Sequence, residues 1–460
     1  MVIKKGIGRK QWNKQSVTTT SMTGNPVEDI QNKARAVVFS AMQKGWSGPP
    51  FDPFALADIL KITVIPSEDI LDARLVPTRG GKLTIEFNPN RPKPRIRYSI
   101  AHELAHTLFP DCAQRVRERQ QRGEIEPGDW QVEMLCNIGA AEFLMPIGSF
   151  PDLAKKNLNI DILMDFRKQY EVSVEAVLLR VVKLTEERCV VFCSSRRESQ
   201  GRSAYYHVDY MVPSRTNTKA LPVGSKLPSG SVVEECTVVG YTAKGDEEWP
   251  HNLGRVHVES VALPPYPAHP YPRVAGLALL RRREKVSINR IKYLKGDATE
   301  PRGKEKKIIA FIINDKGRSW GAGFARAVQK KWPFILEEFQ YWLEHNRSEF
   351  SLGNVHASKV EEDLTVFKMI AQHGYGEAPI PRIRYGELEA CLRKLSNEAV
   401  RQKTSVHMPR IGCGQAGGSW WIVSELIDDI LVKRGIKVTV YDLPTGEKRK
   451  SEKQMSFVKQ

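Results

Sequence analysis

The stretch Arg97-Tyr98-Ser99-Ile100-Ala101-His102-Glu103-Leu104-Ala105-His106-Thr107-Leu108-Phe109 places two histidines four positions apart on a short apolar segment. Residues four apart lie on one face of a helix, so His102 and His106 can present two imidazole nitrogens to one cation. Glu103 lies one residue round from that face, where its carboxylate can take a proton from a metal-bound water instead of binding the metal. This H-E-x-x-H pattern, which is typical of metallopeptidases, predicts a zinc (Zn²⁺) site on a helix.

A catalytic zinc with two histidines needs a third protein ligand, and the next helical segment offers two acids. That segment covers residues 130–145 and ends before Pro146. Glu133 shares a face with small and apolar residues that could pack closely on the zinc helix, whereas Glu142 lies on a different face of its helix. We therefore predict that Glu133 is the third ligand and that Asn137, one turn later, supports the ligands.

Composition indicates an ordinary globular chain with reduced thiols. At 460 residues, with 41% hydrophobic and 27% charged residues, two to four domains are expected. No apolar run approaches the roughly 20 residues that a membrane-spanning helix needs, and the basic N-terminus lacks the apolar stretch of a secretion signal. Seven scattered cysteines without a C-x-x-C pair argue against a disulfide framework. We expect a cytoplasmic protein with no membrane partner.

The formal net charge of +17 favours an anionic partner, either nucleic acid or a phosphorylated small molecule. A solvated basic surface with disordered tails is an equally good explanation. Basic arms, predicted to be disordered over residues 1–25 and 443–460, account for part of the excess. The arginine-rich segment 114–122 lacks interleaved aromatic residues and is predicted to be an exposed insertion. No motif of a nucleic-acid-binding fold supports nucleic acid as a partner.

Residues 26–185 resemble the ImmA/IrrE family of metallopeptidases. The likeness is carried by residues 97–106, by Glu133-Met134-Leu135-Cys136-Asn137-Ile138-Gly139-Ala140-Ala141-Glu142-Phe143-Leu144-Met145-Pro146 and by a closing helix at 172–184. It implies a zincin-like domain and an intracellular, site-specific protease, whose relatives cut helix-turn-helix repressors to release stress, mobile-element or phage genes. Three positions depart from the family: Ala105 stands where many members have Gly, Cys136 where many have Ala, and Gly139 where many have Phe.

Two further regions follow. Residues 186–286 contain β-like runs at 190–192, 204–212, 232–239 and 255–261, which predict a small β-rich domain. From residue 287 strands and helices alternate, which indicates an α/β sheet. There, strand 307–314 and strand 405–411 each lead into a glycine-rich turn. Such turns let backbone N–H groups approach a diphosphate, although packing turns explain them equally well.

Residues 287–442 resemble a macrodomain, the module that binds ADP-ribose. The likeness is carried by Gly296-Asp297-Ala298-Thr299, by Asn314 with Trp320-Gly321-Ala322-Gly323, and by Met408-Pro409-Arg410-Ile411-Gly412-Cys413-Gly414 followed by Trp420. It implies that Asp297 binds the adenine amino group. The remaining contacts implied for ADP-ribose are Asn314, Gly321, Ala322, Gly323, Gly412, Cys413, Gly414, Gln415 and Ala416.

The macrodomain likeness is greatest to members that remove ADP-ribose from glutamate or from DNA bases, and here the chain departs from them. Ala371 or Gln372 stands where those members have a lysine in the corresponding strand. Ala416 stands where some of them have an aspartate. Binding is therefore favoured over hydrolysis.

Together these patterns predict an α+β multidomain protein with a zincin-like HExxH metallopeptidase domain (26–185), a small β-rich middle domain (186–286) and an α/β macrodomain (287–442). The leading hypothesis is a zinc endopeptidase whose proteolysis is regulated by ADP-ribose or an ADP-ribosylated ligand. One alternative is an ADP-ribosyl hydrolase with the zinc domain as scaffold. Another is a non-catalytic binding protein recruited to nucleic acid through its basic surface.

Overall fold

The computed structural model describes residues 26–78, 82–110, 112, 117–118, 129–150, 153, 157–199, 202–217, 219–250, 253–265, 270–280, 291–317, 320–376 and 380–443. Apart from Leu443, the two predicted terminal arms lie outside these residues, as does most of segment 114–122. The chain forms two compact units, one of residues 1–34, 49–145 and 150–287, the other of residues 35–48, 146–149 and 288–460. Helices and several sheets are mixed, so the α+β class is confirmed; the three predicted domain boundaries stay a prediction.

The first part of the chain combines helices with a small mixed sheet. Its elements are α1 (Pro26–Gln43), α2 (Pro53–Ile59), β1 (Thr63–Pro66), β2 (Ala73–Pro77), β3 (Leu83–Phe87), α3 (Lys93–His106), β4 (Arg117–Glu118), α4 (Asp129–Leu144), α5 (Ile160–Tyr170) and α6 (Val174–Leu184). The strand order is β1-β3-β2-β4, with β1 parallel to β3 and the other pairs antiparallel. Helix α3 packs against β2, β3 and α4, which places it at the centre of this region.

The β-rich region is an antiparallel sheet of five strands in the order β6-β5-β9-β8-β7. Its strands are β5 (Cys189–Ser199), β6 (Arg202–Pro213), β7 (Thr242–Trp249), β8 (Gly254–Leu263) and β9 (Arg273–Leu280). It belongs to the same compact unit as helix α3. Buried Glu259 on β8 accepts the Ile160 N–H at the start of α5 at 2.7 Å, so the sheet also anchors a helix of that region.

The strand predicted at residues 232–239 is wrong. Val232–Glu235 form a 3₁₀ turn instead. Ser231 caps this turn by accepting the Val233 N–H, and the Glu247 carboxylate accepts the Val232 N–H at 2.8 Å. Because Val232 and Val233 are both buried, a helical turn suits them better than a strand, which would point successive side chains to opposite faces.

The second unit contains a six-stranded sheet in the order β10-β15-β14-β11-β13-β12. All neighbouring pairs are parallel except β12–β13 at one edge. Its elements are β10 (Lys292–Lys295), β11 (Lys307–Asn314), α7 (Gly323–Lys331), α8 (Phe334–His345), β12 (Val355–Glu361), β13 (Leu364–Gln372), α9 (Tyr385–Gln402), β14 (Ser405–Pro409), α10 (Trp420–Ile430) and β15 (Val438–Asp442). Parallel strands place their carboxyl ends along one edge, where α/β sheets bind ligands.

Within the described residues, no helix is both long enough and apolar enough to span a bilayer.

Candidate metal centre and glycine-rich turns

Helix α3 begins where prolines set its direction and ends on the second histidine. Pro92 is its N-cap residue and Pro94 lies in its first turn, where a missing N–H costs nothing. Ile100, Ala101, Leu104 and Ala105 are fully buried and fix the helix against its neighbours. His102 and His106 are each about 1% exposed, and their ring centroids lie 5.0 Å apart. The helix thus holds both rings together in a protected place.

Close approach of helices α3 and α4 depends on Gly139. A Cβ atom at this position would lie 2.9 Å from Ala105 Cβ, closer than real methyl groups approach. The residues at the two positions therefore fit each other, since the Ala105 methyl group faces the smallest possible residue at 139. The result brings the polar face of α4 onto the two histidines.

Glu133 on α4 reaches both histidine rings. Its Oε2 lies 3.0 Å from His102 Nε2, and its Oε1 lies 3.4 Å from His106 Nε2. The Glu133 side chain is 24% exposed while the rings are buried, so the site opens to solvent on the Glu133 side. Glu142 is buried elsewhere on the same helix, with a carboxylate oxygen 4.0 Å from Arg180 Nη1. Of the two acids weighed from the sequence, the structure brings only Glu133 to the histidines.

Neighbouring side chains fix which ring nitrogens face Glu133. Asn137 Oδ1 accepts the Tyr98 O–H at 2.7 Å and lies 3.0 Å from His102 Nδ1, so that Nδ1 carries the ring proton and Nε2 keeps a lone pair. Cys136 Sγ lies 3.3 Å from His106 Nδ1 and orients the second ring. The sequence pattern alone assigns no role to Tyr98 or Cys136. For Tyr98, the sequence signal that could have indicated its role is its spacing, one helical turn before His102.

The donor set fits a divalent cation of the zinc type. His102 Nε2 and a Glu133 carboxylate oxygen lie 3.0 Å apart, and with the ring proton on Nδ1 both atoms would offer a lone pair to a shared cation. A tetrahedral zinc with bonds of about 2.1 Å separates its ligand atoms by roughly 3.4 Å. The two observed nitrogen-to-oxygen distances, 3.0 and 3.4 Å, are compatible with this spacing.

Glu103 is fully buried beside the same rings. One of its carboxylate oxygens and one nitrogen from each of His102 and His106 lie within 4.8 Å of one another, so Glu103 could in principle also join a metal site. Its position next to His102 in the chain instead suits a carboxylate that receives a proton close to the ion. The geometry therefore allows two roles for Glu103, and only substitution separates them.

The predicted adenine and first-turn residues follow strands β10 and β11. Asp297 is exposed, and its Oδ1 accepts the Thr299 N–H at 2.8 Å. Asn314 ends β11, where its side-chain oxygen accepts the N–H groups of Lys316 and Gly317 and so holds the turn in shape. Gly321, Ala322 and Gly323 are exposed at the start of α7. These backbone groups are accessible to a ligand at the positive end of a helix.

The second turn follows β14 and is tied to its neighbours. Gly412 has a φ of +75° that favours glycine, and its carbonyl accepts the Gly418 N–H at 2.8 Å. Gly414 and Gln415 are exposed, whereas Ala416 is buried. Burial raises the pKa of the Cys413 thiol to about 12, so this side chain stays protonated at neutral pH. Both turns and Asp297 thus lie at the carboxyl ends of parallel strands of one sheet.

A comparison with protein families identifies the class of the metal-centre region. Residues 58–182 match the family described as Peptidase M78, IrrE N-terminal-like domain. The chain therefore contains a metallopeptidase-family domain of the IrrE type, and the resemblance inferred from the H-E-x-x-H helix is confirmed. This domain includes His102, Glu103, His106 and Glu133.

Other known proteins resemble further parts of the chain. Mouse (Mus musculus) chromodomain-helicase-DNA-binding protein 1-like is 31% identical over 181 residues, which are 37% of this chain and 19% of the mouse protein. ADP-ribose 1''-phosphate phosphatase of Candida albicans is 27% identical over 139 residues, covering 28% of this chain and 86% of that protein. A macrodomain protein structure from Streptomyces coelicolor is 40% identical with a TM-score of 0.30, covering 33% of this chain and 98% of that chain. The present chain spans less than a fifth of the length of the mouse relative.

Proposed function

We propose that this protein is a zinc-dependent endopeptidase with His102, His106 and Glu133 as metal ligands. The observation that carries the proposal is the position of the Glu133 carboxylate, whose two oxygens lie 3.0 and 3.4 Å from the two Nε2 atoms. The Peptidase M78 match to residues 58–182 supports peptidase chemistry in the same region. Asn137 acts as a supporting residue, because its oxygen orients His102.

Each residue of the site has a definite role in peptide hydrolysis. A zinc ion held here would polarise the substrate carbonyl and make water a better nucleophile at neutral pH. Glu103 removes the proton from the attacking water and delivers it to the leaving amine. The buried helix α3 excludes bulk water from the rings, while the exposed side of Glu133 admits the peptide.

The substrate is proposed to be a protein regulator of the helix-turn-helix repressor type, and the protein is proposed to act in the cytoplasm in a stress or phage-defence response. This part of the proposal follows from the resemblance to ImmA/IrrE peptidases.

The second unit is proposed to be a macrodomain that binds ADP-ribose or an ADP-ribosylated macromolecule. Support comes from Asp297 and the two glycine-rich turns, which follow β10, β11 and β14 at the carboxyl ends of parallel strands in one sheet. The Candida albicans relative is named for a phosphatase of an ADP-ribose derivative, which agrees with a ligand of this class.

Proteolysis is proposed to respond to the macrodomain ligand. A ligand can change activity only if it binds two conformations with different affinity. We expect ADP-ribose to change the rate at which the full chain cleaves helix-turn-helix regulators by about 5-fold or more, as typical coupling energies allow. The measurement is cleavage of a panel of such regulators by zinc-loaded protein, with and without ADP-ribose. Equal rates at saturating ligand would remove the regulatory part and leave the protease proposal intact.

Asp297→Ala is expected to abolish ADP-ribose binding, because it removes the acceptor proposed for the adenine amino group. Calorimetry with the full chain measures the effect. Glu300→Ala is the matched control, since Glu300 is an exposed acid three residues later and pairs with Lys331 at 3.6 Å. Absence of binding by the parent protein, or equal affinity in the Asp297 variant, would contradict the proposed site.

A further inference from the structure

A lysine lies fully buried in the middle of strand β13. Lys368 pairs across the sheet with Phe311 of β11 on one side and with His356 of β12 on the other. Residues directly opposite on neighbouring strands share one face of a sheet, so these three side chains form a row. Phe339 of helix α8 covers the row, with its ring centroid 5.9 Å from Lys368 Nζ and 5.7 Å from the His356 ring. The amine therefore lies between the sheet and α8, away from solvent.

The surroundings of this amine are poorly suited to a positive charge. A lysine ammonium has three N–H donors, and within the described residues Lys368 Nζ donates to one acceptor, the buried Ser358 Oγ. Burial lowers the pKa of Lys368 to about 7, although the charge of Glu338 on α8 favours the protonated form. Burial and the charge of Lys368 also lower the pKa of His356, to about 3. The imidazole thus stays neutral near pH 7, whereas the amine changes its charge there.

The packing around Lys368 continues to the first glycine-rich turn. Trp320 directly precedes Gly321-Ala322-Gly323 and is 5% exposed. Its ring centroid lies 5.5 Å from that of Phe339 and 5.8 Å from that of Phe311. Within the described part of the chain, Trp320 Nε1 has no hydrogen-bond partner, so packing on these two rings holds the indole in place. Phe339 thus contacts the residue that anchors the turn and also covers the buried amine.

We propose that this group of side chains, the lysine cluster, is a pH-sensitive switch that loosens the first glycine-rich turn when its buried amine takes up a proton. Its members are Phe311, Trp320, Phe339, His356 and Lys368. The effect of the switch on ADP-ribose affinity rests on the macrodomain function proposed above.

The cost of burying an unpaired charge drives the change. An ammonium with a single acceptor in an apolar environment is unfavourable unless water reaches it. Because Phe339 covers Lys368 Nζ, water reaches the amine only when this ring moves, and Trp320 then loses one of its two ring contacts. A ligand that binds the packed turn favours the neutral amine, so ADP-ribose affinity rises with pH.

The sign of the effect on stability follows from the direction of the pKa shift. The pKa of Lys368 is lowered from its usual value of 10.5 to about 7 in the folded protein. Between these two values the unfolded chain binds one proton more than the folded chain, so this group makes stability rise with pH. Below about pH 7 both states carry the proton, and the folded protein has the full cost of burying it.

Lys368→Met replaces the amine with an uncharged side chain of similar length. From about pH 6 to about pH 8.5 the Tm of the parent protein should rise by at least about 4 °C more than that of the variant. This shift corresponds to roughly a 30-fold difference in the folding equilibrium constant, which the lowered pKa implies over that interval. Differential scanning calorimetry of the full chain measures each Tm.

Lys359→Met is the matched control. Lys359 is an exposed lysine on the neighbouring strand β12, so its amine is already in water. The substitution removes one positive charge, as Lys368→Met does, but leaves the lysine cluster unchanged. Its Tm should therefore keep the parental dependence on pH.

Two further measurements follow the turn itself. Hydrogen exchange of residues 321–331, corrected for the intrinsic dependence on pH, should be faster at about pH 6 than at about pH 8.5 in the parent and equal in Lys368→Met. Isothermal titration calorimetry should give a Kd for ADP-ribose at least about 5-fold weaker at the lower pH in the parent, and a change within about 2-fold in Lys368→Met.

Each result decides a separate part of the proposal. If the Tm of Lys368→Met depends on pH as strongly as that of the parent, the lysine cluster is not a switch. Exchange of residues 321–331 that is independent of pH in the parent would overturn the link between the cluster and the turn. A parent protein that binds no ADP-ribose would instead overturn the macrodomain function, while the Tm and exchange measurements still decide whether the switch exists.

Discussion

Replacing Glu103 with glutamine is expected to leave zinc bound and to lower the rate of peptide cleavage by at least about 100-fold. The amide has nearly the same shape as the carboxylate but cannot accept the proton of the attacking water. Helix α3 should remain intact, because its buried apolar residues do not change. Inductively coupled plasma mass spectrometry measures the zinc content of the variant. Cleavage of a panel of helix-turn-helix regulators measures its activity.

The two readings for Glu103 separate its possible roles. If the variant loses both its bound zinc and its cleavage activity, Glu103 is a metal ligand and not a base. Cleavage at the parental rate would end the proposed mechanism. The second result would also remove the reason to assign an endopeptidase activity to this centre.

Glu133→Gln is expected to lower zinc affinity by more than the 10–100-fold typical of supporting residues, because it removes one of three proposed ligands. Glu142→Gln is the matched control, an acid on the same helix that lies beside Arg180 and not beside the rings. It should keep zinc at one ion per chain, although loss of a buried charge partner should lower the stability of the fold. Zinc titration against a competing chelator measures both affinities.

An outcome in which Glu142→Gln loses zinc and Glu133→Gln retains it would reverse the ligand assignment. If both variants keep zinc, the proposed donor set is wrong, and Glu103 becomes the acid to test with the two histidines. Circular dichroism on each variant separates loss of a ligand from loss of folding.

Local patterns predicted the zinc helix because its chemistry is contained in a few neighbouring residues. His102, Glu103 and His106 lie within two helical turns, so helical spacing alone places them together. Glu133 was predicted from the face that it shares with small residues on α4, and the structure has its carboxylate beside both rings. The role of these residues in catalysis stays a prediction.

Where the prediction was wrong, hydrogen bonds from outside the segment decided the structure. The run at 232–239 is rich in β-branched residues. However, Ser231 and Glu247 accept backbone N–H groups that in a strand would donate to a neighbouring strand. Glu247 lies on β7 and is remote in sequence. A single-segment pattern cannot represent such a partner.

The sequence by itself determined which helix can hold a metal, which strands lead into glycine-rich turns and which family the first region resembles, because these features depend on residues close together in the chain. Tertiary structure alone decided that Cys136 Sγ lies 3.3 Å from His106 Nδ1 and that Asp315 lies 2.7 Å from His373. Asp315 and His373 are 58 positions apart, and only the parallel pairing of β11 with β13 brings them together. The physical reason is that hydrogen-bonded strand order, which joins distant segments, is not encoded in the spacing of any one of them.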